Sequence, residues 1–248
     1  MPRSAYISFA ATVAISIVIF SCLSKKTEEK INTKGDTIII RKTNDFEISG
    51  DGSTANWENT NWVAIPQRTT AGENYLTKAK LLYSETGMYF LFFCEDKKLT
   101  ATMQSDFLDL WNEDVIEIFL QPEGKTPAYF EYELSPLNYE LCIIVFNEKG
   151  ILNSWQPFHY EGDRKTRHAV TIQGGEMKSN GIVKSWMTEV YIPYKLLKPV
   201  LTTFPSSGTH WKGNLYRIDY DKGEAQWSWQ LNSGNFHEYD KFGNLQFE

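Results

Sequence analysis

Short runs rich in apolar residues, some of which alternate with polar residues at a two-residue period, recur along the chain, and turn-forming residues separate these runs. Side chains two residues apart on a strand point to the same face, so each run predicts a strand with a buried face. The predicted strands are 78–83, 88–94, 115–120, 129–134, 141–146, 168–173, 185–192, 215–220 and 244–247. In one of them the alternation places Glu131 and Glu133 on one face and Phe130 and Tyr132 on the other.

Runs with a helical period are weak by comparison. The clearest is a single turn after Pro193, because proline is favoured at the first position of a helix. Residues 78–94 predict a hairpin, since Glu85-Thr86-Gly87 supplies a turn between two strands. Many short strands joined by turns predict an all-β fold, an antiparallel β-sandwich with an immunoglobulin-like or jelly-roll-like arrangement of two sheets.

The beginning of the chain has the pattern of a targeting segment. Arg3 precedes an apolar run over 6–20, which is shorter than the roughly 20 residues that a membrane span needs. Ser21 and Cys22 follow in the order of a bacterial lipobox. This order predicts a lipoprotein signal peptide over 1–21 and lipidation at Cys22. A plain secretory signal with an incidental cysteine is the alternative.

The next segment is predicted to be a tether. Residues 25–34 are charged and carry almost no apolar side chain, so they cannot bury enough surface to fold. We therefore assign 22–44 to a flexible tether and 45–248 to one folded domain. The expected location is outside the cytoplasm, with a lipid anchor in a bacterial membrane, at the periplasmic or surface face of the outer membrane.

Charge and aromatic content narrow the range of ligands. The net charge of −6 argues against nucleic acid, which needs a basic face. Aromatic residues make up 15% of the chain, and eight are tryptophan, whose flat apolar ring and N–H donor suit a sugar. Beyond Cys22, the cysteines Cys94 and Cys142 lie in apolar strands, where they are either buried thiols or a disulfide.

Three segments together resemble family 9 carbohydrate-binding modules. The resemblance extends over about 46–248, and it is specific because the segments occur in a fixed order. They are Gly50-Asp51-Gly52-Ser53 followed by Trp57, then Trp111-Asn112-Glu113-Asp114-Val115-Ile116-Glu117-Ile118-Phe119, then Lys241-Phe242-Gly243-Asn244-Leu245.

The resemblance implies a β-sandwich that holds a sugar in a slot between two aromatic rings. By position, Trp111 matches one wall of the slot, and Phe236 falls where the family commonly has its second tryptophan. Glu117 matches a residue that binds sugar hydroxyls, and Glu133 stands where members can carry an arginine. The implied ligand is the end of a β-glucan or xylan chain, and the implied function is non-catalytic binding in carbohydrate catabolism.

Two further residues complete the predicted carbohydrate site. His237 follows Phe236 and has a ring nitrogen that can bind a hydroxyl. Arg217 lies on the predicted strand 215–220, where its charge either pairs with a carboxylate or reaches the ligand. Polar groups around an aromatic slot are what sugar binding requires.

The loop before residue 115 is rich in carboxylates. The resemblance implies that calcium braces loops of this kind, and calcium takes six to eight oxygen ligands. Asp106, Asp109 and Asp114 are the predicted ligands, and a solvated acidic loop is the alternative.

An enzyme and a redox protein are the competing hypotheses. A glycoside hydrolase would need two carboxylates on one sugar, but Asp114 and Glu117 are three apart and point to opposite faces of a strand. Asp114 is therefore predicted to hold backbone amides, and no catalytic residue is assigned. A b-type haem module of related fold would use axial methionine and histidine, for which the candidates are Met88, Met103, His159 and His168.

Overall fold

The computed structural model describes residues 1, 31–32, 35–122, 124, 127–148 and 151–248. Its strands are β1 (Ile31–Asn32), β2 (Thr37–Lys42), β3 (Trp62–Ala64), β4 (Thr77–Tyr83), β5 (Gly87–Glu95), β6 (Val115–Gln121), β7 (Ala128–Leu134), β8 (Glu140–Glu148), β9 (Ile151–Pro157), β10 (Arg167–Gln173), β11 (Ser185–Pro193), β12 (His210–Asp219), β13 (Ala225–Ser228) and β14 (Gly243–Phe247). The described helices are four short 3-10 turns, and none has the length and apolar character needed to cross a membrane. The predicted signal peptide and Cys22 lie outside the described residues.

The strands form two layers that face each other across the core. The first layer has the order β10-β11-β5-β4, and the second has the order β14-β12-β6-β7-β8-β9. Strand β2 joins the layers by pairing with both β4 and β14. The predicted β-sandwich is therefore confirmed. Among the described strands, the pairings of β2 with β4 and β14 and of β1 with β3 are parallel, while the others are antiparallel.

The predicted tether is wrong for residues 37–42, which form β2. Ile38 and Ile40 of this strand are buried in the core, because alternate residues of β2 face inward between the two layers. Burial alternates between neighbouring residues along Thr37–Lys42, as expected for a strand with one buried face. The folded domain therefore begins before Asp45, and its first core strand lies beside its last strand.

The main core lies between the layers and contains the inward-facing residues of both. The hairpin predicted over 78–94 is present as β4 and β5, and it continues in register onto β11. On β6 the inward residues are Ile116, Ile118 and Leu120, which are fully buried. Cys94 and Cys142 are also buried in this core as free thiols.

The outer face of the second sheet carries another apolar cluster. Its members on β6 are Val115 and Phe119, which alternate with the inward residues of the same strand. A loop after β13 and a short turn before β6 fold over this face and add Phe236 and Trp111. The second sheet therefore has side chains packed on both faces, and the outer face is covered by loops in place of another sheet.

A cleft on the outer face of the second sheet

A cleft of about 350 Å³ lies on the outer face of the second sheet. This volume is within the range of small-molecule sites in proteins. Aromatic and titratable side chains provide its distinctive lining: Trp111, Trp155, Phe236, His237, Glu117 and Glu131. Four of the five predicted carbohydrate residues therefore lie on one cleft.

Trp111 is held at the mouth of the cleft by its backbone. It lies in the 3-10 turn Leu110–Asn112, where Leu110 is fully buried in the outer-face cluster. The hydroxyl of Tyr220 donates to the carbonyl oxygen of Trp111 at 2.9 Å. These two contacts fix the turn and leave the indole ring of Trp111 partly exposed to the cleft.

Phe236 and His237 lie on a loop that has its own internal hydrogen bonds. Gly234 adopts a φ of +98°, which only glycine reaches without strain, and its amide donates to Asn232 Oδ1 at 3.0 Å. The amide of His237 donates to Asn235 Oδ1 at 2.9 Å. This geometry turns the chain back over the sheet, so that Phe236 points into the cleft.

The sheet supports this loop from below. The rings of Phe236 and Tyr216 stack with their centroids 4.1 Å apart and their planes 12° apart. The hydroxyl of Tyr216 donates to the carbonyl oxygen of Phe236 at 2.9 Å. The Tyr129 hydroxyl and His237 Nδ1 lie 2.7 Å apart, and burial lowers the pKa of His237. His237 is therefore a neutral polar group at neutral pH.

Trp155 on β9 was missed in the sequence analysis. Trp155 is 36% exposed. Its indole packs edge to face against that of Trp111, with ring centroids 5.3 Å apart and ring planes at 80°. The segment Asn153-Ser154-Trp155-Gln156 offers one signal, because a tryptophan among polar residues is a candidate for ligand contact. Trp111 and Trp155 together form an aromatic corner of the cleft.

Three glutamates form the polar floor beneath these rings. Glu117 on β6 is paired in register with Glu133 on β7, and Glu131 lies two residues from Glu133 on the same face. All three are at most 5% exposed. Glu117 and Glu131 line the cleft, while Glu133 lies behind them. We call Glu117, Glu131 and Glu133 the acid floor.

Burial governs the protonation of the acid floor. Desolvation raises the pKa of Glu131 to about 8, and it raises the pKa of Glu117 and Glu133 well above the ordinary value. The repulsion between neighbouring carboxylates adds to the shift for Glu117 and Glu133. The free protein therefore retains protons on this floor at neutral pH.

The predicted role of Arg217 in sugar binding is wrong. Arg217 is fully buried on the inner face of β12, because it alternates with Tyr216 and Ile218, which face the cleft side. Its Nη2 donates to Asp219 Oδ2 at 2.7 Å and to Asp96 Oδ2 at 3.1 Å. Of the two roles that the sequence left open for Arg217, the structure shows the ion pair with carboxylates.

The predicted calcium ligands do not converge. Asp114 is buried, and its carboxylate accepts hydrogen bonds from the amides of Thr100 and Tyr220, the latter at 2.8 Å. Asp106 accepts from the amide of Glu140, and Asp109 is exposed at the surface. Asp114 therefore fastens the start of β6, as the structural alternative predicted. Within the described ranges, the acids that do cluster are Asp96, Asp219 and Asp221, and Arg217 already binds two of them.

Three of the residues considered for haem binding make packing or hydrogen-bonding contacts within the protein. Met88 is fully buried in the main core, and His168 Nδ1 lies 2.9 Å from Asn138 Oδ1. The ring of His159 packs against Phe107, with centroids 4.0 Å apart. These contacts account for Met88, His159 and His168 without a cofactor.

The fold and cleft define a class: a β-sandwich module with an aromatic-walled ligand cleft on one sheet face. The family model described as "Carbohydrate family 9 binding domain-like" matches residues 48–204. This match covers more than half of the chain, so the protein belongs to that family. The resemblance inferred from the sequence motifs is therefore confirmed.

Solved structures share this fold. A Bacteroides uniformis protein, described as a predicted carbohydrate-binding protein, superposes with a TM-score of 0.73 and 15% identity, over 87% of this chain and 100% of that one. A family 9 carbohydrate-binding module from Caldicellulosiruptor kristjanssonii superposes with a TM-score of 0.59 in complexes with glucose and with cellotriose. The identities are 17% and 18%, over 86% of this chain and 95% and 93% of the other chains.

One curated protein also matches part of the chain. The mouse (Mus musculus) UPF0462 protein C4orf33 homolog is 26% identical over 144 residues. The match spans 57% of this chain and 65% of the mouse protein, so it covers less than two thirds of that relative.

Proposed function

We propose that the protein binds carbohydrate in this cleft and does so without catalysis. One observation carries the proposal: Trp111 and Phe236, from loops distant in sequence, line the same cleft above polar side chains. A flat indole or phenyl ring matches the apolar C–H face of a pyranose, while carboxyl and imidazole groups bind its hydroxyls. The C. kristjanssonii module of the same fold, in complex with glucose and cellotriose, supports this choice of ligand class.

The finer proposal is a β-linked plant-type glycan, such as a β-glucan or xylan, held between Trp111 and Phe236. His237 and Glu117 would bind hydroxyls at the edge of the ring, and Trp155 would extend the aromatic surface. A single stacked sugar with a few hydrogen bonds predicts weak affinity, with a dissociation constant of about 10 μM to 1 mM.

Glycoside hydrolysis is the second candidate function. Two observations favour it: Glu117 and Glu131 both line the cleft, and burial raises the pKa of each, as a general acid requires. The carboxylate pair considered from the sequence, Asp114 and Glu117, does not fit this role, because Asp114 accepts hydrogen bonds from two backbone amides. Incubation with cello- and xylo-oligosaccharides separates the two functions. Release of shorter sugars would contradict purely non-catalytic binding.

The binding proposal is tested by titrating the protein with cello- and xylo-oligosaccharides, with tryptophan fluorescence and calorimetry as readouts. Trp111→Ala should weaken binding at least about fivefold, because stacking on one ring is worth on the order of 1–3 kcal/mol. Phe204→Ala is the matched control, since Phe204 is an exposed aromatic that packs on Tyr194 away from the cleft. Unchanged affinity in Trp111→Ala with folded protein would remove Trp111 from the site.

We also propose that the protein is exported and lipid-anchored at Cys22. The apolar run and the Ser21-Cys22 order support this proposal. Labelling expressing cells with an alkyne fatty acid should modify the wild type and not Cys22→Ser. Equal labelling of both, or label in neither, would contradict lipidation at Cys22.

A further inference from the structure

The acid floor places buried carboxyl groups side by side in a cross-strand pair. Glu117 and Glu133 are directly opposite in the β6–β7 register, and Glu131 is a diagonal neighbour of Glu117. Like-charged residues at opposite positions destabilise a sheet, and buried carboxyl groups without partners cost further free energy. Such a group lowers the stability of the folded protein in the absence of a ligand. We therefore consider which ligand would offset this cost.

Among the described residues that line the cleft, none supplies a permanent positive charge to the acid floor. No lysine or arginine is among them. The nearest basic group is His237, whose Nδ1 lies 3.9 Å from Glu131 Oε2, and its burial favours the neutral form. Arg217 lies on the neighbouring strand β12 but points to the opposite face of the sheet.

The oxygens of the floor have unused hydrogen-bonding capacity. Glu131 Oε2 and both carboxyl oxygens of Glu133 are buried and have no partner in hydrogen-bonding geometry among the described residues. Glu131 is 5% exposed and lines the cleft, and its unpartnered Oε2 is one of its buried atoms. Buried polar atoms in native structures are nearly always paired, and an exception needs an explanation such as a bound group.

A neutral sugar would meet this need only in part. Its hydroxyls can accept hydrogen bonds from neutral carboxyl groups or donate to ionised ones, but they bring no charge that would stabilise the ionised form. An ammonium group brings three N–H donors and one positive charge, and its hydrogen bonds to carboxylates are about twice as strong as neutral ones. The indole rings of Trp111 and Trp155 at the cleft wall would attract the same charge.

We propose that the cleft binds a sugar that carries a protonated amino group, with the ammonium seated on Glu117 and Glu131 and the pyranose against the aromatic wall. This inference rests on the proposed carbohydrate function and specifies its ligand as an amino sugar. Glu133 is fully buried, does not line the cleft and lies opposite Glu117 in the β6–β7 register.

Three trisaccharides with the same β-1,4 linkage test this inference. They differ only at carbon 2: a glucosamine trimer has an ammonium there, an N-acetylglucosamine trimer has a neutral amide, and cellotriose has a hydroxyl. Calorimetric titration of the whole protein at pH 7 and low salt compares them. We expect the glucosamine trimer to bind at least about tenfold more tightly than the other two, and to lose this advantage as salt is raised.

Variants locate the preference on the acid floor. Glu131→Gln keeps the shape of the side chain and removes the carboxyl group that can ionise beside an ammonium, so the ratio of glucosamine-trimer to cellotriose affinity should fall several-fold. Glu161→Gln is the matched control, since Glu161 is an exposed glutamate outside the cleft, and its ratio should not change. An unaltered ratio in folded Glu131→Gln would contradict the assignment.

The outcomes separate this inference from the proposed function. Cellotriose that binds as tightly as the glucosamine trimer would overturn the amino-sugar inference and leave carbohydrate binding intact. No measurable binding of any of the three, or of xylo-oligosaccharides, would overturn both. A glucosamine trimer that binds best to wild-type protein supports the inference even if a variant fails to fold.

Discussion

Two groups of buried carboxyl residues lie on opposite faces of the second sheet, and they differ in whether the protein supplies a cation. On the inner face, Arg217 binds Asp96 and Asp219 and stacks over the ring of Trp227, with 4.9 Å from the guanidinium to the ring centroid. On the outer face, the acid floor has no such partner among the cleft-lining residues described. The inner group holds its cation within the fold, whereas we propose that a ligand supplies one to the outer group.

Position along the strands accounts for this difference. Arg217 and Glu117 are on neighbouring strands, but Arg217 pairs with Ile116 and Glu117 pairs with Tyr216. The one-residue offset sends their side chains to opposite faces, so the arginine cannot neutralise the glutamate. The same sheet therefore has buried acids paired with an arginine on its inner face and buried acids without a lysine or arginine among the described cleft-lining residues on its outer face.

The largest expected effect is loss of the inner ion pair. Arg217→Met should reduce the free energy of unfolding by about 3–5 kcal/mol, because it leaves two buried carboxyl groups without their cation. Urea unfolding at pH 7 measures this loss. A reduction below about 1 kcal/mol would mean that the inner cluster is not held together by Arg217.

The acid floor should make stability depend on pH in the intermediate range. A carboxyl with a raised pKa in the folded state stabilises the protein fully below its unfolded pKa, near 4.5, and this contribution is lost as pH rises through the folded value, about 8 for Glu131. Each titrating group should cost up to about 1.4 kcal/mol per pH unit across this window.

Glu131→Gln isolates that contribution. Unfolding measured at pH 5, 6.5 and 8 should show a flatter decline in the variant than in the wild type, because one proton fewer is released on unfolding. Glu161→Gln again serves as the control and should follow the wild-type curve. Parallel curves for wild type and Glu131→Gln would show that Glu131 is not a protonated acid in the folded state.

The smallest expected effect comes from Glu133→Gln. Desolvation raises the pKa of Glu133 well above the ordinary value and so favours its protonated form, and an amide of the same shape should change the free energy of unfolding by less than about 1 kcal/mol. Urea unfolding at pH 7 compares this change with the loss expected for Arg217→Met. A loss as large as that of Arg217→Met would indicate a structural charge at position 133.

The sequence was sufficient to predict the sandwich and much of the cleft. Alternation identified β7, apolar runs bounded by turn residues identified strands such as β6, and the family resemblance singled out Trp111 and Glu117. The family resemblance singled out Phe236, and His237 was included because it follows Phe236. These features depend on local pattern, which a single sequence records.

Features that depend on distant pairing were missed or misassigned. Strand β2 was assigned to the tether, because its pairing partner β14 lies at the other end of the chain. Trp155 lies on an exposed edge strand whose pattern is polar, so it gave no strand signal. Arg217 was placed at the ligand because alternation gives two faces but does not say which one the cleft occupies.

The most direct test of the account is a crystal structure of the protein with a saturating trisaccharide that binds in solution. We predict a pyranose ring in the cleft between Trp111 and Phe236, with polar contacts to Glu117, Glu131 or His237. A sugar bound at another surface, with this cleft unchanged, would contradict the assignment of the outer sheet face to ligand binding.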